Sequence, residues 1–112
     1  MILIFDTFYT EDQARTFCVQ FSSWIDDSPS DVFEETLSNI EDYKSGEFYK
    51  RELPCILSLL KQINLEMCEA IVIDGFVNLD DNEKYGLGAY LYDALNAKVP
   101  VIGVAKNDFR DI

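Results

Sequence analysis

Three segments in the first part of the chain have the pattern of β-strands. Met1–Phe8 is a short apolar run typical of a central strand, and Arg15–Trp24 alternates between polar and apolar residues, as a strand with one buried face does. Val32–Ile40 is again rich in strand-forming residues, and we interpret it as an edge-type strand. Polar turns at Thr10–Gln13 and Asp26–Ser30 separate the three segments. The sequence therefore predicts an antiparallel meander.

The hydrophobic period changes after a polar loop at residues 41–47. From about Lys50 onward, apolar residues recur at the spacing of an amphipathic helix, at Leu53, Ile56, Leu57, Leu60 and Ile63. Because proline is tolerated only in the first turn of a helix, Pro54 places the predicted start of this helix near Arg51.

Two further strands and one further helix are predicted in the second half. Glu69–Phe76 and Val99–Ala105 are the strands, and Gly86–Asn96 is a helix whose apolar side carries Leu87, Leu91, Ala94 and Leu95. The predicted order is βββαβαβ in one domain spanning residues 1–112, with right-handed crossovers between the later strands. This is the core order of the ribonuclease H-like α/β architecture, a mixed sheet whose first strand is central. A generic α+β sandwich is the alternative.

The chain is strongly acidic. Its 112 residues include 21 Asp and Glu against 9 Lys and Arg, which gives a formal net charge of −12. Since affinity for phosphates comes mostly from Lys and Arg, this charge argues against general nucleic-acid binding. It is compatible with an acidic binding face or a cation site.

The three cysteines indicate a reducing compartment. Cys18, Cys55 and Cys68 form no C-x-x-C pair, and their odd number argues against a disulfide framework. We therefore expect a cytoplasmic protein with buried thiols at Cys18 and Cys55. The apolar start of the chain lacks the basic flank of a signal peptide, and no apolar run approaches membrane-spanning length, so no membrane association is expected.

Three carboxylates occupy the ends of predicted elements. Asp6 and Asp74 each follow an apolar strand, and Glu52 stands at the start of the first helix, where the helix dipole favours a negative charge. If the two strands are neighbours, the three side chains converge and offer the hard oxygen ligands that Mg²⁺ or Mn²⁺ prefers. Each residue also has an ordinary interpretation, as a solvated strand end, a helix-start acid or a turn residue.

Several short motifs resemble the endonuclease V family in order and spacing over nearly the whole chain. They are Asp6 with Tyr9; Tyr43 and Gly46 followed by Arg51 and Glu52; Asp74-Gly75; Gly86-Leu87; and the run from Pro100 to Lys106, which is the most specific. The resemblance implies a ribonuclease H-like fold and a divalent-metal-dependent endonuclease of DNA repair. It implies hydrolysis of phosphodiesters near deaminated purines such as inosine, in DNA or RNA.

The resemblance also assigns residue roles. It implies catalytic roles for Asp6, Glu52, Asp74 and Lys106, with the first three as ligands of Mg²⁺ or Mn²⁺. It implies contacts with nucleic acid for Tyr9, Tyr43, Gly46, Arg51 and Gly75, where Tyr43 stands in the loop that separates bases in the family.

The sequence departs from the family in four places. The prolines beside the wedge tyrosine are absent, and Asp80–Tyr85 replaces a His-Pro-Arg-like segment. Tyr90 stands where a histidine is expected, and the chain has no histidine. The family's C-terminal part, with a further carboxylate, is not matched, and a homodimer could cover the apolar surface this leaves. A non-catalytic acidic binding or regulatory protein on the same scaffold is therefore the alternative function.

Overall fold

A computed structural model describes residues 1–10, 12–38, 49–74 and 86–104. Within these ranges the chain forms five strands and two helices: β1 (Ile2–Tyr9), β2 (Gln13–Phe21), β3 (Asp31–Ser38), α1 (Tyr49–Leu60), β4 (Ala70–Asp74), α2 (Leu87–Ala94) and β5 (Val101–Val104). No helix in this part of the chain is long and apolar enough to cross a membrane.

The five strands form one mixed sheet in the order β3-β2-β1-β4-β5. Strands β1, β2 and β3 pair antiparallel, whereas β4 runs parallel to both β1 and β5. The mixed α/β class predicted from the sequence is thereby confirmed, with β1 at the centre and β3 at an edge. The finer assignment to the ribonuclease H-like architecture remains a prediction.

Both described helices pack on the same face of the sheet. Leu3 and Phe5 of β1 and Ile71 and Ile73 of β4 point to this side, where they meet side chains of α1 and α2 in one buried core. The helical members of that core are Ile56, Leu59, Leu60, Leu87 and Leu91. The core fixes α1 across the central strands and so sets the position of Glu52.

The opposite side of the sheet, which we call the open face, is covered by neither described helix. Strand alternation and the pairing register assign to it every second residue of each strand. Its members include Ile4, Asp6 and Phe8 of β1, Arg15, Phe17 and Val19 of β2, Val32 and Glu34 of β3, Val72 and Asp74 of β4, and Ile102 and Val104 of β5. The open face is thus largely apolar.

The second strand ends earlier than its sequence pattern predicts. The prediction extended it to Trp24, but β2 ends at Phe21 and Trp24 lies in a turn with its side chain exposed. The carboxylate of Asp26 closes this turn by accepting hydrogen bonds from the Ser23 amide at 3.2 Å and the Ser23 hydroxyl at 3.1 Å. This local side-chain bonding competes with strand pairing and stops the strand.

The first helix begins at Tyr49, two residues before the predicted start near Arg51. Pro54 therefore lies inside the helix rather than in its first turn. Proline lacks the amide that would bond the carbonyl of Lys50, four residues earlier. Because that carbonyl belongs to the helix's own first turn, only one bond near the helix end is lost.

The second helix ends in a left-handed turn. The Asn96 amide donates to the Asp93 carbonyl and the Ala97 amide to the Tyr92 carbonyl, both at 2.9 Å, which is the bonding of a Schellman cap. Asn96 and Ala97 have φ of 58° and 57°. This cap ends α2 at Ala94, which is exposed rather than on the buried side as predicted.

Replacing Ala97 by glycine is expected to stabilise the protein by about 1 kcal/mol, since a left-handed backbone is costly for a residue with a Cβ atom. For a domain of this size, that corresponds to a rise in Tm of about 4–8 °C. Thermal unfolding followed by circular dichroism would measure it. Ala94→Gly is the matched control, because Ala94 is helical and exposed, and it should lower Tm instead.

The cysteines differ in burial, and we expect them to differ in reactivity for that reason. Burial raises the pKa of the Cys18 thiol from 9.0 to about 12, and burial also raises the pKa of Cys68. We therefore expect the Cys18 thiol to hold much less thiolate at pH 8 in the native protein than in the unfolded chain. We expect iodoacetamide to spare Cys18 in the native protein and to label it in denaturant, with mass spectrometry as the readout. Labelling of native Cys18 as fast as half-buried Cys68 would contradict this.

Candidate active site

The strand register brings two of the predicted site residues level with each other. In the parallel pair β1–β4, Ile2 lies opposite Ala70 and Ile4 opposite Val72. Continuing this register places Asp6 opposite Asp74, and neighbouring strands in a sheet lie about 4.8 Å apart. Asp74 is the last residue of β4, so the two carboxylates stand where the parallel part of the sheet ends.

The third predicted carboxylate comes from the first turn of α1. Glu52 lies in that turn, where the partial positive charge of the helix end stabilises a carboxylate. Asp6, Glu52 and Asp74 border one small cavity of about 10 Å³ that is lined by residues of β1, α1, β4 and α2. A space of this size holds about one water molecule. The other lining residues are Phe5, Thr7, Ile56, Ile73 and Leu87.

Two of the three carboxylates that border the cavity are accessible to solvent. Asp6 and Asp74 are exposed, so burial alone does not force a counter-ion on them. Asp6 Oδ1 accepts a hydrogen bond from the Thr7 amide at 3.0 Å, which holds that carboxylate near its own backbone. Among the described residues, no three Asp, Glu, Cys or His side chains form a ready-made metal-ligand cluster.

The donor set still fits a divalent cation by its chemistry. Three carboxylates supply hard oxygen atoms, and Mg²⁺ keeps several waters while using only one or two protein carboxylates at a time. The shared cavity offers such an ion a place near all three residues. Strand alternation assigns Asp6 and Asp74 to the open face, whereas Glu52 belongs to α1 on the other face, so the three residues meet only where the parallel strands end.

Most of the remaining predicted site residues lie outside the described part of the chain. This applies to Tyr43, Gly46, Gly75 and Lys106. Arg51 is a backbone member of α1, but its side chain is likewise outside the described set. Tyr9 is described; it ends β1 opposite Ala14, and its side chain is half-buried.

The structure adds two features that the sequence pattern did not single out. Thr7 borders the three-carboxylate cavity, and its hydroxyl lies 3.4 Å from that of Thr16 on β2. On the open face, Arg15 packs over the Phe17 ring at 5.1 Å, and its Nε donates to Glu34 Oε1 at 2.8 Å. The Thr7–Thr16 and Arg15–Glu34 contacts join different strands, so only knowledge of the pairing register could have revealed them.

Comparison with known proteins shows the fold of this chain. No family model matches the sequence, and neither does any curated protein sequence. Solved structures of endonuclease V do match the fold. The first is Ciona intestinalis endonuclease V in complex with a 24mer DNA containing an inosine followed by a ribo-adenosine, with a TM-score of 0.79 and 19% identity.

Two further structures agree with the first. A variant of the Ciona intestinalis enzyme with a 23mer inosine-containing DNA gives a TM-score of 0.74 at 20% identity, and Bacillus subtilis endonuclease V gives 0.66 at 21%. Each match covers 95% of this chain but only 44–46% of the solved chain. The chain therefore has a fold similar to endonuclease V and spans less than half the length of those proteins.

Proposed function

We propose that this protein is a divalent-metal-dependent nuclease that hydrolyses phosphodiesters near deaminated purines such as inosine, in DNA or RNA. The observation that carries the proposal is that Asp6, Glu52 and Asp74 border the same small cavity. Two of these residues come from neighbouring parallel strands and the third from the first turn of α1. Two of the solved structures with a similar fold hold inosine-containing DNA, which supports this substrate class.

The three carboxylates would hold Mg²⁺ or Mn²⁺. Such an ion, when bound, activates a water molecule and neutralises charge on the leaving oxygen. The chain's own contribution is to position the ligands. Continued beyond its last pair, Ile4 and Val72, the parallel register would set Asp6 beside Asp74, and the core packing of α1 would bring Glu52 to the same cavity.

The remaining roles rest on the sequence motifs. Lys106 would place its ammonium group near the scissile phosphate, and Tyr43 with Gly46 would contact the displaced base. Tyr9, Arg51 and Gly75 would complete the contacts with the nucleic acid. The prolines that flank the counterpart of Tyr43 in the family are absent from the sequence, so we expect weaker discrimination between inosine and normal bases.

Assays with single strands that differ at one base provide the test. The protein should nick an inosine-containing strand in the presence of Mg²⁺ or Mn²⁺ and cleave the matching adenosine strand more slowly. Activity should fall as salt rises, because salt screens the basic contacts with the phosphates. No nicking of inosine DNA or RNA, with either metal and at low ionic strength, would overturn the proposal.

Metal binding can be tested separately from turnover. Titration calorimetry with Mn²⁺ should show weak binding to the natural protein and a smaller heat with Asp74→Asn. Equal heats from both proteins would place any bound ion elsewhere. Binding without nicking would favour the second candidate, a non-catalytic acidic binding protein, which the exposure of Asp6 and Asp74 and the charge of −12 also favour.

A further inference from the structure

Two threonine hydroxyls meet on the side of the sheet that packs against the helices. Thr7 of β1 and Thr16 of β2 lie directly opposite each other in the register, and their hydroxyl oxygens are 3.4 Å apart. Strand alternation places Thr7 on the same side as Leu3 and Phe5, which belong to the core. Thr16 is only 1% exposed, so solvent does not satisfy its hydroxyl. The two threonines therefore form a polar contact beside an apolar core.

The direction of this hydrogen bond follows from what each hydroxyl can reach. A hydroxyl has one hydrogen to donate and two lone pairs that accept. Within the described part of the chain, Thr7 is the hydrogen-bond partner of the Thr16 hydroxyl. If Thr7 were the donor, the hydrogen of Thr16 would be buried without an acceptor, which is costly. Thr16 is therefore the donor and Thr7 the acceptor.

The neighbouring carboxylate on β3 does not change this assignment. Glu35 lies opposite Thr16 in the β2–β3 register, on the same side of the sheet. Its Oε2 accepts a hydrogen bond from Gln62 Nε2 at 2.9 Å, whereas its buried Oε1 has no hydrogen-bond partner among the described residues. Thr16 therefore does not donate towards β3, and its hydrogen is directed to Thr7.

The hydrogen of Thr7 itself has acceptors in the three-carboxylate cavity. Thr7 borders this cavity together with Asp6, Glu52 and Asp74. An ionised carboxylate accepts hydrogen bonds and donates none. Glu52 belongs to α1, and Thr7 is on the side of the sheet that faces the helices, so these two residues approach the cavity from the same side. The Thr7 hydroxyl is thus placed to donate towards Glu52.

A single water molecule fits between the hydroxyl and the carboxylates. The cavity of about 10 Å³ has room for about one water, and a buried water needs two to four polar partners. Thr7 supplies a donor for the water oxygen, and the carboxylates supply acceptors for its two hydrogens. The lining therefore offers both kinds of partner that such a water requires.

We propose that Thr7 is a positioning residue that carries a hydrogen bond from the buried Thr16 hydroxyl into the three-carboxylate cavity. There it orients one water molecule against the Glu52 carboxylate and so holds that carboxylate in place before any ion binds. The consequence for a divalent ion rests on the proposed function. The direction of the hydrogen bond between the two threonines does not.

Valine substitutions test the direction of the hydrogen bond, because valine keeps the shape of threonine without its hydroxyl. Thr7→Val should lower Tm by at least about 4 °C, since it leaves the buried Thr16 donor without an acceptor. Thr16→Val should lower Tm less than about half as much, because Thr7 keeps its acceptors in the cavity. The double variant should recover most of the loss, since both partners are removed together. Thermal unfolding in EDTA, followed by circular dichroism, gives the measurement.

Titration calorimetry with Mn²⁺ provides a readout that a purely structural contact would not change. Losing a hydrogen-bond partner of a metal ligand typically costs 10–100-fold in affinity, so Thr7→Val should bind Mn²⁺ at least about tenfold more weakly. Thr7→Ser keeps the hydroxyl and should retain most of the affinity. Thr36→Val is the matched control, because Thr36 is exposed on β3 and does not border this cavity, and it should leave both Tm and affinity nearly unchanged.

Three results would overturn the proposal. One is a larger loss of Tm in Thr16→Val than in Thr7→Val, which would direct the hydrogen bond towards Glu35 instead. Another is an unchanged Mn²⁺ affinity in Thr7→Val. The third is Thr7→Ser binding Mn²⁺ as weakly as Thr7→Val, which would assign the effect to packing. If the natural protein binds no Mn²⁺, the proposed function fails, and the order of the Tm values still decides the direction of the hydrogen bond.

Discussion

Asp6→Asn is expected to reduce nicking of an inosine-containing strand by at least about 100-fold. Losing a residue that merely supports a metal ligand typically costs 10–100-fold, and Asp6 is proposed as a ligand itself. Asparagine has nearly the same shape, and its side-chain oxygen can still accept the hydrogen bond from the Thr7 amide. The fold should therefore be preserved, and single-turnover cleavage with Mg²⁺ or Mn²⁺ gives the measurement.

Asp27→Asn is the matched control for this substitution. It removes the same charge from an exposed turn residue that borders none of the described cavities, so nicking should stay within about twofold of the natural protein. If Asp6→Asn keeps its activity, Asp6 is not a metal ligand and the proposed centre is wrong. If both variants lose activity to the same extent, the loss does not report a particular ligand, because removing a negative charge should by itself favour binding of nucleic acid.

Leu59→Ala is expected to have the largest effect on stability, with a loss of about 2–5 kcal/mol in the free energy of unfolding. Leu59 is fully buried in the core that joins α1 to the sheet, and alanine would leave a cavity there. Since small domains are stable by only about 5–15 kcal/mol, much of the margin would be lost. Urea unfolding followed by circular dichroism gives the measurement.

Leu57→Ala serves as the comparison, because Leu57 lies on the same helix but is only partly buried. Its loss of stability should be clearly smaller, since less apolar surface returns to water. Equal losses for the two variants would show that helix propensity, rather than core packing, sets the stability of α1.

The sequence identified the type of each described element but not all of its limits. The run Ile71-Val72-Ile73 and the leucine spacing of α1 are strong local signals, and both elements form as predicted. The predicted ends of two elements were wrong because single residues decide them. Asp26 closes the turn after β2, and Asn96, with its left-handed backbone, ends α2. Such contacts depend on individual atoms and leave no trace in hydrophobic periodicity.

Part of the candidate site could be predicted from the sequence, because some of its residues stand in a recognisable local pattern. A carboxylate at the end of an apolar strand is visible as a pattern, so Asp6 and Asp74 could be named. Their alignment depends on the pairing offset between β1 and β4, which no local pattern encodes. Alternation along β2 likewise predicts one buried side, but it cannot tell that Thr16 and Cys18, rather than the bulkier Phe17, face the helices.

The strand order has a consequence for how the chain folds. The β1–β2–β3 meander pairs segments that are close in sequence, so little chain entropy opposes its formation. Strand β4 must instead return across α1 to reach β1, which closes a much longer loop. We therefore expect the meander to form first and Asp74 to reach Asp6 only when β4 docks. The three-carboxylate cavity would then be completed in a late folding step.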